Sequence, residues 1–275
     1  MWNDTEMALR LQGHSNAIKL VASDLDGTLY YAAPTITKRT IRALDMIRAK
    51  GVGFTICTGR SFFELGDLPR RLGLTEPVIC RNGAEIVDPI SEKKLAQWPI
   101  STAESAAFLR WCLQEGVDIC LTTEDTSFFP KNSAFTRFFG PEQKVRPLDG
   151  ATPLETLTHY KLILLIDQSK YVRARECLTR FPGIRVTAAS SEIEDLISSE
   201  ADKGTGLRWV AEHLGLGREN CCAFGDFVND IPMFRYAGLS FAMENAAPDV
   251  QAAADFVAPP NTADGVARVL ETLFG

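Results

Sequence analysis

Asp24-Leu25-Asp26-Gly27-Thr28 sets two carboxylates two residues apart beside a glycine. Two acids so placed can divide a phosphoryl transfer between them. Asp24 attacks phosphorus and forms an aspartyl-phosphate. Asp26 protonates the leaving oxygen, then takes a proton from the water that hydrolyses the intermediate. The division needs one carboxyl kept protonated while its neighbour stays ionised, a split that burial of one and metal contact of the other produce. Gly27 lets the backbone come close to a phosphate. The same residue types also build an ordinary acidic turn, so the segment alone leaves both readings open.

A second group, Gly225-Asp226-Phe227-Val228-Asn229-Asp230, lies far along the chain. Mg²⁺ takes oxygen ligands, commonly one or two carboxylates with waters and substrate phosphate. Asp24 and Asp26 leave its octahedron under-filled, and Asp226 is the natural third contributor. Asp230 is better placed to hold metal-bound waters; Asn229 and Asp230 also fit as caps of a following helix. Thr58-Gly59 offers a hydroxyl and backbone donors to a phosphate, or is simply a turn. Lys203, after Glu200-Ala201-Asp202, suits neutralising phosphate charge and holding Asp24, although a lone lysine is ordinarily a solvated surface charge.

Such residues act together only if the chain converges them. Residues 19–23 (KLVAS) read as a short strand ending at Asp24, and open α/β sheets bind ligands at the carboxyl ends of their strands. Thr37 caps a predicted helix whose Ile41, Leu44 and Ile47 share one face, with Gly51 at its end. Residues 52–57 form a second buried strand leading into Thr58-Gly59-Arg60. Ser61 and Glu64 fit a capping box, and residues 78–80 form a third strand. This repetition predicts a parallel sheet covered on both faces.

The middle of the chain follows another pattern. Strands at 117–121 and 184–188 alternate in polarity, and two helices are expected, near 101–115 with Ser101 and Glu104 as a capping box, and near 170–180. From Lys203 the first pattern resumes, with a helix at 204–214 whose Leu207, Val210, Ala211 and Leu214 form a stripe, a strand at 221–224, a helix from Asn229 and a strand at 239–243. The expected fold class is α/β: a Rossmann-like, doubly wound parallel sheet from residues 17–83 and 199–275. An α+β domain is inserted over 84–198, and residues 1–16 form an N-terminal extension.

Composition narrows the partners. The 275 residues carry a net charge of −6 with no basic block, so there is no electrostatic footprint for nucleic acid. A phosphate site remains open, since a metal, one lysine and backbone N–H groups can supply its positive charge. Seven cysteines without a C-x-x-C suggest neither a disulfide framework nor a zinc site, and point to a reducing, cytoplasmic setting. The longest apolar run, 162–166, is too short to span a membrane, and the first sixteen residues do not read as a signal peptide. No G-x-G-x-x-G follows the first strand and no P-loop occurs, which disfavours a dinucleotide oxidoreductase. Five phenylalanines between Phe128 and Phe139 are expected in the core of the inserted domain, with a pocket lining or a dimer surface as alternatives. The state expected is monomer or homodimer.

The ordered set DLDGTL at 24–29, TGR at 58–60, KGT at 203–205 and GDFVND at 225–230 resembles the haloacid dehalogenase superfamily. Within it, the chain is similar to the Cof-like sugar-phosphatase branch, whose large α/β cap lies between the second and third motifs. Arg81-Asn82-Gly83-Ala84, Met243-Glu244-Asn245-Ala246 and Asp264-Gly265-Val266 fit as well, and the resemblance covers residues 18–273. It implies Asp24 as nucleophile, Asp26 as acid/base, and Asp24, Asp26 and Asp226 around Mg²⁺. It also implies phosphate contacts from the Leu25 backbone, Thr58, Gly59, Lys203 and Asn229. The activity implied is Mg²⁺-dependent hydrolysis of a small phosphorylated metabolite such as a sugar phosphate, under a cap that closes as a lid and sets specificity. A phosphomutase that shields the same intermediate from water, and a non-catalytic regulator on the same fold, are the alternatives. Phe227 departs from the branch, which often has a small or polar residue there, and is expected to narrow the pocket.

Overall fold

Short apolar strands from both ends of the chain pair into one parallel sheet. The computed structural model describes residues 7, 9–32, 34–138, 144–166, 168–189 and 192–275. The first stretch contains β1 (Leu20–Ser23), α1 (Lys38–Ala49), β2 (Gly53–Ile56), β3 (Val78–Cys80), β4 (Glu85–Val87) and β5 (Lys94–Gln97). The middle holds α2 (Thr102–Glu115), β6 (Ile119–Thr122), β7 (Thr126–Phe129), β8 (Lys144–Pro147), β9 (Lys161–Leu165), α3 (Gln168–Leu178), β10 (Ile184–Ala189) and β11 (Ile193–Ser198). Last come α4 (Lys203–His213), β12 (Cys221–Gly225), α5 (Ile231–Tyr236), β13 (Leu239–Met243), β14 (Phe256–Ala258) and α6 (Gly265–Phe274). The chain divides into two compact units, Met1–Ala96 with Asp202–Gly275, and Gln97–Ala201.

In the first unit the strand order is β14-β13-β12-β1-β2, parallel throughout. β1, β12 and β13 are buried along their whole length, as a parallel sheet covered on both faces requires. Leu44 and Ile47 of α1 and Leu270 and Leu273 of α6 share one core with Val21, Phe54 and Phe224. Thr37 caps α1 by accepting from the Thr40 N–H. Ile41, expected on the buried face, is 37% exposed, and Ala43 takes the inner position. Leu214, expected in the stripe of α4, lies past its end and is exposed. Cys57 bridges to Ile79, which places β3 beside β2, and β3 continues into an antiparallel pairing with β4. Of the N-terminal extension, residues 1–6 and 8 lie outside the described residues; Met7 and Leu11 are buried, and His14–Ala17 is a short helix.

The second unit is a six-stranded sheet of order β10-β11-β9-β6-β7-β8, with only β7–β8 parallel. Ile119, Leu121, Leu162, Leu164 and Leu196 alternate onto one face, where they pack with Phe108, Leu109 and Cys112 of α2 and Ala174 of α3. Phe128 joins this core. Phe129 and Phe135 join Cys120 and Ile163 in a separate cluster, while Phe138 is half-exposed and Phe139 lies outside the described residues. The capping box expected at Ser101 does not form: its side chain makes no cap, and Glu104 instead accepts from the Gly183 N–H at 3.1 Å. A tertiary partner has taken the carboxylate that the local motif needed. All seven cysteines are free thiols and buried. Among the described residues, no helix is long and apolar enough to cross a membrane.

His159 is fully buried in this unit, its Nδ1 2.6 Å from the Ser105 hydroxyl. Burial holds its pKa below the usual histidine value, with a backbone contact at Leu154 pulling weakly the other way. The folded chain therefore binds fewer protons here than the unfolded chain once pH drops below about 6.5, and stability is lost as pH falls through the folded pKa. Thermal midpoints at pH 7.5 and 5.5 should differ more in the wild type than in His159→Gln. Equal differences in the two proteins would remove His159 as the cause.

Candidate active site

β1 and β12 lie side by side in register, Ser23 opposite Phe224, so the residues just past them emerge together. The Asp24 N–H donates to the Phe224 carbonyl at 2.9 Å. The chain turns at Gly27, where φ is +88° and a Cβ would sit 2.3 Å from Asp226 Oδ2. Only glycine satisfies both conditions. Thr28 Oγ1 donates to Asp226 Oδ1 at 2.6 Å, and Asn245 Nδ2 donates to the Gly27 carbonyl at 2.9 Å. The two acidic loops thus hold each other.

Lys203 opens α4, whose N-terminus Asp202 caps by accepting from the Thr205 N–H. Its side chain is 1% exposed, and Nζ donates to Asp24 Oδ1 and to Asp230 Oδ1, each at 2.6 Å. Asp230 Oδ2 accepts from the N–H groups of Asp226 and Phe227, both at 2.9 Å. Asp230 therefore caps its own loop and belongs to the charged cluster at once. Phe227 is 40% exposed.

Three carboxylates, Asp24, Asp226 and Asp230, each offer an oxygen within 4.8 Å of the others. Burial pushes the Asp24 pKa up to about 8; Lys203 pulls against this, and Asp230 and Asp226 add to it. Burial likewise raises Asp226 to about 6, opposed by the Thr28 hydrogen bond. Lys203 is held above its usual value because Asp230 and Asp24 outweigh the effect of its burial. One lysine among three carboxylates leaves negative charge unbalanced. Among the described residues, hydrogen bonds engage Asp24 Oδ1, Asp226 Oδ1 and both Asp230 oxygens, leaving Oδ2 of Asp24 and of Asp226 as donors for a hard divalent cation.

Asp26 is set apart from this cluster. Its exposed carboxylate is gripped by Arg60 through Nε at 2.8 Å and Nη2 at 2.6 Å, with the guanidinium 5.8 Å from the Tyr30 ring centre. The turn at Gly27 lies against the Asp226 carboxylate, while the Asp26 side chain runs toward the loop after β2.

That loop is stitched to the one after β3. The Asn82 N–H donates to the Thr58 carbonyl at 2.9 Å and the Arg81 N–H to the Arg60 carbonyl at 2.8 Å. Arg81, Asn82 and Gly83 follow one another in left-handed conformation, with φ of 51°, 56° and 95°. Asparagine tolerates this region better than arginine, for which it costs about 1–3 kcal/mol. Asn82 is fully buried, and its Oδ1 accepts from Asn229 Nδ2 at 2.8 Å.

The sequence-predicted residues thus fall into three places. Asp24, Asp226, Asp230 and Lys203 meet in one buried cluster. Thr58, Gly59 and Asn229 are joined through Asn82, and Leu25 is buried beside Asp24. Asp26 faces Arg60. Four residues in the site had no role assigned from sequence: Thr28, Arg60, Asn82 and Asn245. Each lies in a motif segment, but their side chains bond to residues 34 to 218 positions away in the chain, so spacing gave no signal for them.

Comparison with known proteins places this geometry. Residues 21–270 match the family model described as haloacid dehalogenase-like hydrolase. The chain is 28% identical over 271 residues to the pyridoxal phosphate phosphatase YbhA of Escherichia coli (strain K12), covering 92% of this chain and 97% of that protein. It is 25% identical over 283 residues to the 5-amino-6-(5-phospho-D-ribitylamino)uracil phosphatase YwtE of Bacillus subtilis (strain 168), covering 93% and 98%. The solved structure of a haloacid dehalogenase-like hydrolase from Bacteroides thetaiotaomicron matches with a TM-score of 0.82 at 25% identity, over 94% of this chain and 100% of that one. With a parallel sheet that presents its acidic loops together and a family match spanning most of its length, the chain belongs to the haloacid dehalogenase-like hydrolases, as an enzyme of their phosphatase (phosphoric monoester hydrolase) kind.

Proposed function

We propose that this enzyme hydrolyses a small phosphorylated metabolite, a sugar phosphate or similar phosphomonoester, through an aspartyl-phosphate on Asp24. The observation that carries the reading is the placement of Asp24: buried at the end of β1, tied to Lys203 at 2.6 Å and clustered with Asp226 and Asp230. In the first step the Asp24 carboxylate bonds to phosphorus as the bond to the leaving oxygen breaks, and Asp26 gives that oxygen a proton. In the second, water attacks phosphorus, Asp26 takes the water's proton, and Asp24 departs as a carboxylate with release of inorganic phosphate. Asp26 is the exposed member of the pair, open to a leaving group and then to a water, and its carboxylate must leave Arg60 to carry the proton it gives.

The phosphate's charge is met by Lys203 and by donors from the Leu25 backbone, Thr58, Gly59 and Asn229. The cation is proposed to be Mg²⁺, held by Asp24 and Asp226, with Asp230 fixing the loop that carries Asp226. When bound, it supplies charge neutralisation for the transferring phosphoryl group. Asp26 was also expected among these ligands; here both its side-chain oxygens accept from Arg60, a pairing that must open before they serve as a ligand or carry a proton. A small-molecule substrate is supported by the relatives, whose names carry phosphorylated metabolites, and buried free thiols suit a reducing compartment such as the cytoplasm.

The test is p-nitrophenyl phosphate hydrolysis in EDTA and then with Mg²⁺ restored. Activity should vanish and return, and Asp226→Ala should raise the half-saturating Mg²⁺ concentration roughly 10- to 100-fold. A full rate in chelator would contradict the reading.

A further inference from the structure

The turn at residues 81–83 is strained, and it touches Thr58 and Asn229 of the proposed phosphate site. Two non-glycine residues in succession, Arg81 and Asn82, adopt left-handed φ, followed by Gly83 at +95°. Ordinary side chains are held so only when the surroundings over-determine them, and such positions cluster at functional sites. Here the surroundings are visible. The buried Arg81 guanidinium pairs with buried Glu85 at 3.1 Å, and Glu85 also pairs with Lys94 at 3.1 Å. Gly83 is pressed against the backbone before α4, where a Cβ would lie 2.0 Å from the Asp202 carbonyl oxygen. The turn is thereby anchored next to Lys203.

This anchoring aims one side chain. The Asn82 amide lies over Gly59, at which a Cβ would meet Asn82 Oδ1 at 3.1 Å and Nδ2 at 3.3 Å. Its Oδ1 accepts from Asn229 Nδ2 at 2.8 Å, and its N–H holds the Thr58 carbonyl. One buried residue therefore joins the loop after β2 to the loop after β12, two segments from opposite ends of the chain. Asparagine suits this position: its short amide reaches Asn229 while its backbone N–H holds Thr58, and it accepts the left-handed backbone more readily than other non-glycine residues.

We propose that Asn82 is a positioning residue for the phosphate site, fixing the direction of the Asn229 amide and the approach of the Thr58-Gly59 loop so that both address one phosphate. The inference rests on the reading of Thr58, Gly59 and Asn229 as phosphate contacts. Asn82 itself donates nothing to the chemistry; it acts through Asn229. A hydrogen bond that orients a ligand group is worth about a factor of ten when lost.

Asn82→Gly separates this role from a merely structural one, because glycine relaxes the backbone at φ 56° while deleting the amide. The full-length chain is assayed with Mg²⁺ for KM and kcat on p-nitrophenyl phosphate, for the inhibition constant of inorganic phosphate, and for thermal midpoint. Asn82→Gly should raise KM and the phosphate constant together by about tenfold, lower kcat by a smaller factor, and keep or raise the midpoint. Adding Asn82→Gly to Asn229→Ala should then cost little more, since the two residues act as one unit. Unchanged constants in Asn82→Gly, a lowered midpoint accompanying the loss, or fully additive losses in the double variant would each overturn the proposal. Failure of the underlying reading has a different signature: a wild-type chain that phosphate does not inhibit, whatever Asn82 does.

Discussion

Asp24→Asn should lower kcat on the order of 10⁴- to 10⁶-fold while leaving the protein folded. An amide is too weak a nucleophile to attack phosphorus, and no neighbouring carboxylate stands in for it. Asp230 has both oxygens committed to Lys203 and to backbone N–H groups, and Asp226 is turned toward Thr28. The fold survives because an amide oxygen at this position still accepts from Lys203. The substitution also removes a charge that burial disfavours. The Asp24 pKa in the fold, about 8, lies above the ordinary carboxylate value, so the stability it contributes when protonated is lost as pH rises toward neutrality, a loss the amide does not suffer. In metal-free buffer the thermal midpoint of Asp24→Asn should therefore equal or exceed that of the wild type. Activity within tenfold of wild type would dismiss Asp24 as the nucleophile.

Lys203→Met is expected to be the most destabilising single change in the site. The lysine is 1% exposed and bonds two buried carboxylates, so its removal leaves Asp24 and Asp230 facing each other with no cation between them. Removing one partner of a buried ion pair costs about 3–5 kcal/mol. For a folding unit of this size the thermal midpoint should fall by on the order of 10 °C, and phosphatase activity should fall with it. Differential scanning fluorimetry with and without EDTA measures the loss. A midpoint within about 2 °C of wild type would mean that the carboxylates take up protons at little cost and that Lys203 is not what holds the cluster together.

The sequence made the acidic cluster legible because each acidic motif stands directly after an apolar strand. The runs before Asp24 and Asp226 are uninterrupted, and parallel pairing of two such runs leaves their following residues adjacent. Caps were legible where the partner was local, as at Thr37 and in the Ser61–Glu64 box. They failed where a distant residue competed, as when Gly183 claimed Glu104. Helical faces were read closely but not fully: Leu44 and Ile47 are buried with Thr40 and Ala43 at helical spacing, whereas Ile41 sits beside that stripe and Leu214 lies past the end of α4. The grip of Arg60 on Asp26 and the bond from Asn229 to Asn82 were not legible at all. Each joins loops from different strands, and no periodicity in a single segment encodes where such a side chain points.

The central claim is that phosphate passes through Asp24. Asp26→Asn isolates that step: with an activated ester the leaving group needs no proton, so the phosphoenzyme forms but its hydrolysis stalls for want of a base. The measurement is a rapid acid quench of Asp26→Asn with Mg²⁺ and p-nitrophenyl phosphate, followed by mass mapping of the peptides. One phosphoryl group per chain on Asp24, absent when Asp24→Asn is added, is the result expected. A burst of p-nitrophenol with Asp24 unmodified, or with the phosphoryl group on another residue, would contradict the account.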